Sequence, residues 1–473
     1  MNQPESSVSR RRFLGLLGAG ALAVALPGKA EPASAKKPNV LFIAVDDLRP
    51  GLGCFGNKEI HTPNIDRLAA GGVAFTQAYC NVPICMASRV GTLTGVRPEP
   101  GVQRCTEMKR EYTTLQAQFG AHGYHTVSNG KVLHHMLDRP EDWSEPPWRS
   151  EEIYHGRSDW AGYNTYHIWQ NPDSANYINP RTKRGPYFEF ADVPDNAYQD
   201  GKVADKTIAD LKRLAKGDKP FLIGCGFWRP HLPFNAPKKY WDLYDSSKIT
   251  IADNRYRPKD LPATCKPSGE IDGYAKVKDR LKTEDFHREA RHAYYACVSY
   301  VDAQVGRVLD ELDRLGIADS TIVVLCVDHG WNLGEHNFWG KHNTLEHSLH
   351  VPLIIRAPGH ARGKPAASLV ENVDIYPTLC DLAGVPRPAY LEGASLVPIL
   401  DDPKHTVKQA VFGRWGNGRI VRTDRYSYTE WETGERMLFD HKTDPGENAN
   451  VAEDPKNAEA IAELRKLLAA QKT

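Results

Sequence analysis

The sequence predicts an α/β fold: a large mixed, mostly parallel sheet sandwiched by helices, with a small C-terminal α+β subdomain. Three observations predict it. Continuous apolar runs such as Val40–Val45 and Thr321–Val327 suit strands buried on both faces. These runs alternate with stretches of helical periodicity, the pattern of strand–helix–strand units. Beyond about Gly384 the runs become shorter and more polar.

The elements follow in order. Val40–Val45 is the first strand, and it ends abruptly in Asp46-Asp47. Thr62-Pro63 is a cap followed by an N1 proline, and Gly71-Gly72 closes that helix. A helix over Leu115–His122 stops at Gly123, and His125–Ser128 is a short strand. Pro140–Pro186 is rich in Trp, Tyr, Pro, Asn and Asp without a clear period, which marks an irregular surface insertion. A helix over Tyr198–Ala215 precedes a strand over Phe221–Phe227. A long helix over Arg288–Leu315 carries apolar residues at helical spacing from Tyr294 to Leu312 and ends at Gly316. Thr321–Val327 is again a buried strand, ending in Asp328-His329. Arg419–Thr423 and Tyr426–Trp431 suit antiparallel strands.

Three segments result: 1–35, 36–383 and 384–473. The first is an address. Ser9-Arg10-Arg11-Arg12-Phe13-Leu14 is a twin-arginine pattern, an apolar stretch follows to Leu26, and Ala33-Ser34-Ala35 offers a cleavage site. The stretch is shorter than the roughly 20 residues a spanning helix needs. The expectation is a cleaved export signal, a periplasmic or secreted protein, and no stable membrane insertion after cleavage. An uncleaved anchor is the alternative.

Composition narrows the function. Hydrophobic residues are 41% and charged residues 25% of 473, ordinary globular usage that argues against disorder. Sixty Lys and Arg against 59 Asp and Glu give +1, too flat for a dedicated nucleic-acid binder. Nine cysteines are too few for a disulfide framework, and none forms a CxxC pair.

Three strands end in reactive groups: Asp46-Asp47, the Trp228-Arg229-Pro230-His231 turn, and Asp328-His329. In open α/β sheets ligands bind beyond the carboxyl ends of the strands. Carboxylates gathered there from separate strands make a site for a hard divalent cation. Cys85 begins the run Cys85-Met86-Ala87-Ser88-Arg89-Val90-Gly91-Thr92-Leu93-Thr94-Gly95. Ser88 is read as the cap of a helix beginning at Arg89, with Cys85 just before its N-terminus, where anionic chemistry is favoured.

That run resembles the sulfatase signature, Cys-x-Pro/Ala-x-Arg followed by Thr-Gly, with Ala87 at the position usually held by Pro. Gly130-Lys131-Val132-Leu133-His134, Arg229-Pro230-His231-Leu232-Pro233-Phe234, Asp328 to His336 and Trp339-Gly340-Lys341 are similar to segments of the iduronate-2-sulfatase group of that family. The resemblance runs from about Pro38 to Val451. It implies that Cys85 is converted to formylglycine by a formylglycine-generating maturation enzyme. It implies Ca2+ held by Asp46, Asp47, Asp328 and His329 with the modified Cys85. It implies that Arg89 neutralises carboxylate charge beside the metal, that Lys131 and Lys341 grip sulfate oxygens, that His134 is the base, and that His231 is the sulfate contact or the acid for the leaving oxygen. The implied activity is hydrolysis of sulfate esters on a sulfated oligosaccharide or polysaccharide, such as one carrying 2-O-sulfated uronic acid (iduronate 2-sulfate).

Two other functions fit the same residues: a phosphonate or phosphate ester hydrolase on this fold, and a noncatalytic binder of sulfated polysaccharide with unmodified Cys85. Trp331, Trp143, Trp148, Trp160 and Trp169 either stack on sugar rings or pack in the structure. Arg422 and Arg425 are candidates for a substrate carboxylate by charge alone. Glu392-Gly393 resembles a structural turn of the family. His135, His336, His342 and His347 lie close to motif residues without an assigned role.

Overall fold

The computed structural model describes residues 37–150, 170–171, 174, 184–275, 277 and 279–471. The twin-arginine segment and most of the aromatic insertion, with Trp160 and Trp169, lie outside the described residues.

The apolar run Asn39–Val45 forms strand β1, and its side chains from Val40 to Val45 are buried. Further strands are β2 (Val73–Tyr79), β3 (His125–Gly130), β4 (Phe221–Gly226), β5 (Thr321–Val327), β6 (His350–Arg356) and β7 (Lys364–Glu371). Among the described residues these make one sheet in the order β7-β2-β6-β5-β1-β4-β3. β1 runs parallel to β4 and β5, β3 parallel to β4, and β7 parallel to β2. Only β6 reverses, pairing antiparallel with β2 and β5. The sheet is therefore mixed and mostly parallel, as expected. β2, β6 and β7 escape the sequence reading. β7 opens with exposed Lys364-Pro365 at the sheet edge, and register shifts interrupt its pairing with β2 and that of β2 with β6.

Helices α1 (Pro63–Ala70), α2 (Cys85–Thr94), α3 (Leu115–Ala121), α4 (Gln199–Leu214), α5 (Glu284–Arg314) and α6 (Ile375–Ala383) accompany the sheet. α5 begins at Glu284 rather than Arg288. Thr283 caps it by accepting the Phe286 N–H, and Glu284 and Asp285 complement the positive end of the helix dipole. Thr62 does not cap α1. Its hydroxyl oxygen accepts the Gly53 N–H, and it donates to Asp66. The α1 N-terminus is satisfied instead by Asp302 of α5, which accepts the N–H groups of Asn64 and Ile65.

Past α6 the chain forms strands β8 (Val411–Trp415), β9 (Gly418–Arg422), β10 (Tyr426–Trp431) and β11 (Arg436–Asp440). They make an antiparallel sheet in sequence order. A helix absent from the sequence reading, α7 (Ala458–Ala470), buries Ile461, Leu464 and Leu468 against Val421, Tyr428 and Leu438. Gly384 ends α6 with φ 62, a left-handed conformation suited to glycine. The described residues from Lys37 onward form one compact unit.

Candidate active site

Strand register builds the site. Val45 pairs with Val327, Ala44 with Gly226, and Gly226 with Gly130. The four parallel strands end nearly level. Asp46-Asp47, Asp328-His329, the Phe227–His231 turn and Lys131–His134 therefore leave the sheet at one edge. Gly226 permits the approach of the last two segments, because a Cβ there would lie 2.1 Å from the Lys131 carbonyl carbon.

Cys85 reaches this edge as the first residue of α2, with Ile84 at the N-cap. The expectation of a helix capped by Ser88 and starting at Arg89 is corrected. The Ser88 hydroxyl lies inside the helix and donates to the Asp328 carbonyl at 2.5 Å. The strand end supplies an acceptor that removes Ser88 from any capping role.

Asp46, Cys85, Asp328 and His329 each offer a ligand atom, and these atoms lie within 4.8 Å of one another. All four residues are buried. Burial raises the Asp328 carboxyl to about 7, with Arg89 opposing and Asp46 adding to the rise. Burial acts on Asp46 too, but Lys131, His231 and Arg89 outweigh it and hold that carboxyl well below the usual range. Among the described residues, Asp46 Oδ1 and His329 Nε2 lack a well-formed hydrogen bond. Two crowded carboxylates, with an open oxygen on Asp46 and an open nitrogen on His329, fit a divalent cation, and the Cys85 thiol is the one soft member of the set. Asp47 stands beside the set. Its oxygens take Lys341 Nζ at 2.9 and 3.1 Å, and Oδ1 lies 3.3 Å from His329 Nδ1.

Arg89 binds the carboxylates to the strand ends. Its Nε donates to Asp328 Oδ2 at 2.9 Å, Nη2 lies 3.5 Å from Asp46 Oδ1, and Nη1 donates to the carbonyls of Lys131 and Val132. Lys131 forms an ion pair with Asp46, both side chains fully buried. Lys341 joins Asp47 and Glu270, each at 2.9 Å. Burial works against the Lys341 charge, but Asp47 and Glu270 outweigh it and keep the ammonium protonated. Both lysines thus stand inside the site expected for them, paired with its carboxylates.

His134 Nδ1 lies 3.1 Å from Cys85 Sγ. Burial, and then the Lys131 charge, hold this imidazole well below its ordinary range. A neutral ring beside position 85 suits a proton acceptor. His231 is held by the turn it ends. Asp200, in the first turn of α4, accepts the N–H groups of Trp228 and Arg229 at 2.8 and 2.9 Å, and Arg229 Nη1 donates to the His231 carbonyl. Burial and Lys341 lower His231 to about 4, while Glu270 and Asp46 push it back up.

Two residues here escape the sequence reading. Asp200 leaves one trace, an acid in the first turn of a predicted helix. Glu270 leaves none: it sits on an irregular loop with no strand end or motif nearby. Its carboxylate reaches both His231 and Lys341. Trp331 is fully buried beneath Lys341, whose Nζ lies 4.8 Å from the ring centroid, so it packs rather than meeting a sugar. Trp143 is buried, and Trp148 packs against the core. Arg422 pairs with Glu346 and Arg425 with Asp440. The Glu392-Gly393 turn is structural: Glu392 N–H donates to Gly95, and a Cβ on Gly393 would meet the Val373 carbonyl oxygen at 2.1 Å.

Comparison with known proteins agrees with this geometry. The sulfatase family model matches residues 38–385, and the model "N-sulphoglucosamine sulphohydrolase, C-terminal" matches 334–473. Iduronate 2-sulfatase of Mus musculus is 33% identical over 422 residues, 78% of this chain and 73% of that protein. A structure solved with its substrate D-glucosamine-2-N,6-O-disulfate has a TM-score of 0.72 at 22% identity, covering 92% of this chain and 97% of its own. A phosphonate monoester hydrolase of Silicibacter pomeroyi has a TM-score of 0.74 at 24% identity, covering 92% and 94%. These two solved structures share the fold, a mostly parallel sheet flanked by helices. With its family model matched over most of its length and its reactive residues gathered at one sheet edge, the chain belongs to the sulfatase family and is a sulfuric ester hydrolase.

Proposed function

We propose that this enzyme removes sulfate from a 2-O-sulfated uronic acid, such as iduronate 2-sulfate, within a sulfated oligosaccharide or polysaccharide. The observation that carries the proposal is the convergence of Asp46, Cys85, Asp328 and His329 in one buried cluster, with His134 beside Cys85. The similarity to an iduronate 2-sulfatase supports the substrate. A fold neighbour that binds a disulfated glucosamine supports the saccharide class.

Asp46, Asp328 and His329 are the residues to hold Ca2+, with Asp47 next to them and position 85 completing the set. A formylglycine made from Cys85 would supply, as its hydrate, two hydroxyls on one carbon for attack and release, and Ca2+ held by these residues would supply Lewis acidity beside them. His134 accepts a proton from the side chain at position 85. Lys131 and Lys341 hold anionic oxygens with fixed positive charge, and Arg89 keeps the carboxylates in register. His231 gives a proton to the departing oxygen. The twin-arginine pattern supports export to the periplasm or beyond, and a maturation enzyme acts on Cys85 before that. Among the described residues no helix is long and apolar enough to cross a membrane.

A second reading, hydrolysis of phosphonate or phosphate esters, has support from the phosphonate monoester hydrolase of the same fold. Release of inorganic sulfate from defined 2-O-sulfated uronate disaccharides, run beside a phosphonate monoester, decides between them. Sulfate release with little phosphonate cleavage is expected. Cleavage of the phosphonate alone overturns the proposal.

A further inference from the structure

Trp415 ends β8 on the face of the small sheet that meets the rest of the chain. Cross-strand partners in an antiparallel sheet lie on one face, and so do residues two or four apart in a strand. The register pairs Val411 with Arg422, Trp415 with Gly418, and Gly418 with Trp431. Trp415, Arg422 and Trp431 therefore share a face. On it, Arg422 pairs with Glu346 at 3.2 Å, and Trp431 packs against a cluster that includes Phe338 and Leu345. The opposite face, with Val421, Tyr428 and Leu438, is covered by α7.

At its own end of that face Trp415 meets the active site. Its ring stacks on His342, with centroids 4.9 Å and planes 15° apart. His342 follows Lys341, whose Nζ lies 2.9 Å from Asp47, and His342 Nδ1 lies 2.9 Å from Ser268 Oγ. Outward from the buried cluster, His134, Glu270, His342 and Trp415 are only half-buried. Among the described residues Trp415 belongs to none of the apolar clusters. Core packing therefore does not explain this large aromatic. Its place is fixed by a two-residue hairpin turn, Gly416-Asn417, with Gly416 at φ 54. The next place on the face has no side chain, because a Cβ on Gly418 would lie 2.6 Å from Trp431 Nε1.

We propose that Trp415 is the stacking platform for the saccharide unit next to the one that carries the sulfate. The inference rests on the reading of the enzyme as a saccharide sulfatase. With Lys341 on the sulfate, the sulfated unit lies at Lys341. His342 is the neighbouring residue, and Trp415 stands one ring farther out, where the next unit of a chain arrives. A sugar ring presents C–H groups on one face, and these suit the electron-rich face of an indole. Trp331 and Trp143 have the same chemistry but are buried, whereas Trp415 is partly open.

The test measures sulfate release by full-chain, matured wild type, Trp415→Ala and Trp415→Phe. The substrates are 4-nitrophenyl sulfate and a monosaccharide, a disaccharide and a tetrasaccharide, each of the three ending in 2-O-sulfated uronate. Wild type should show a higher kcat/KM on the disaccharide than on the monosaccharide. Trp415→Ala should lose about 10-fold in kcat/KM on the disaccharide and tetrasaccharide, mostly through KM. It should change little on the monosaccharide and on 4-nitrophenyl sulfate. Trp415→Phe, which keeps a flat ring, should retain most of the preference. Trp415→Leu, which keeps apolar bulk without a flat face, should behave as Ala does and serves if the Ala variant does not fold. Equal loss on all four esters, no loss on any, or a wild type indifferent to the second sugar overturns the platform while the sulfatase reading stands. A wild type that cleaves 4-nitrophenyl sulfate but none of the sugar sulfates overturns the saccharide reading and the inference with it.

Discussion

Cys85 Sγ lies 3.1 Å from His134 Nδ1, although the two residues come from different segments, the start of α2 and the turn after β3. The contact exists because α2 begins at Cys85 itself and because β3 ends level with β4. It sets a proton acceptor beside the residue proposed as the nucleophile's precursor. His134→Ala should lower kcat by about 10²–10⁴-fold, the range for losing a general base. Steady-state kinetics on 4-nitrophenyl sulfate, with circular dichroism to verify the fold, checks this. A variant within a few-fold of wild type contradicts the assignment.

Calcium binding should depend on the strand-end carboxylates. Asp328→Ala removes a carboxylate that also holds Arg89 at 2.9 Å, so it should abolish both bound calcium and most activity. Metal analysis of the purified variant measures the first, and sulfate release the second. Full activity of wild type after exhaustive chelation would show that no such ion is needed.

Gly226 tests the geometry of the sheet edge. A methyl group there would sit 2.1 Å from the Lys131 carbonyl carbon, so the backbone that carries Lys131, the partner of Asp46, must shift. Gly226→Ala should destabilise the protein by about 1–3 kcal/mol, the usual range for overpacking. It should also lose far more activity than that destabilisation accounts for. Urea unfolding and kcat, measured on the same preparation, separate the two effects.

Acid should destabilise the fold through histidines on α5. Burial, with Arg255 and Arg291 adding to it, lowers His287 to about 4, and burial lowers His292 as well. The unfolded chain takes up these protons below about pH 6.5, while the folded chain does not until lower pH. Their contribution is therefore full above pH 6.5 and is lost as the pH falls from 6.5 toward 4. His287→Phe should flatten the fall in unfolding free energy over that window, measured by urea titration at pH 7 and pH 5. An unchanged slope contradicts the assignment.

Much of the site was legible because its residues end apolar strands. Val40–Val45 and Thr321–Val327 are buried on both faces, and that burial makes them readable and forces Asp46 and Asp328 out at one edge. Motif resemblance brought Lys131, His134, His231 and Lys341 to the same place. Glu270 was not legible, because only a tertiary contact brings its loop to His231. The start of α2 was misplaced because Ser88 is a good cap by type, yet the Asp328 carbonyl claims its hydroxyl. β6 and β7 were missed where register shifts and edge polarity blur the two-residue period.

The chemistry at Cys85 is the centre of the account. A thiol is a poor match for the oxygen-preferring ion proposed beside it, whereas an aldehyde hydrate offers oxygen to the metal and a second hydroxyl for turnover. Mass spectrometry of the peptide spanning Cys85, taken from enzyme of measured sulfatase activity, tests this directly. The predicted result is formylglycine at position 85, with activity rising in proportion to the converted fraction. An intact Cys85 thiol in fully active enzyme would contradict the mechanism.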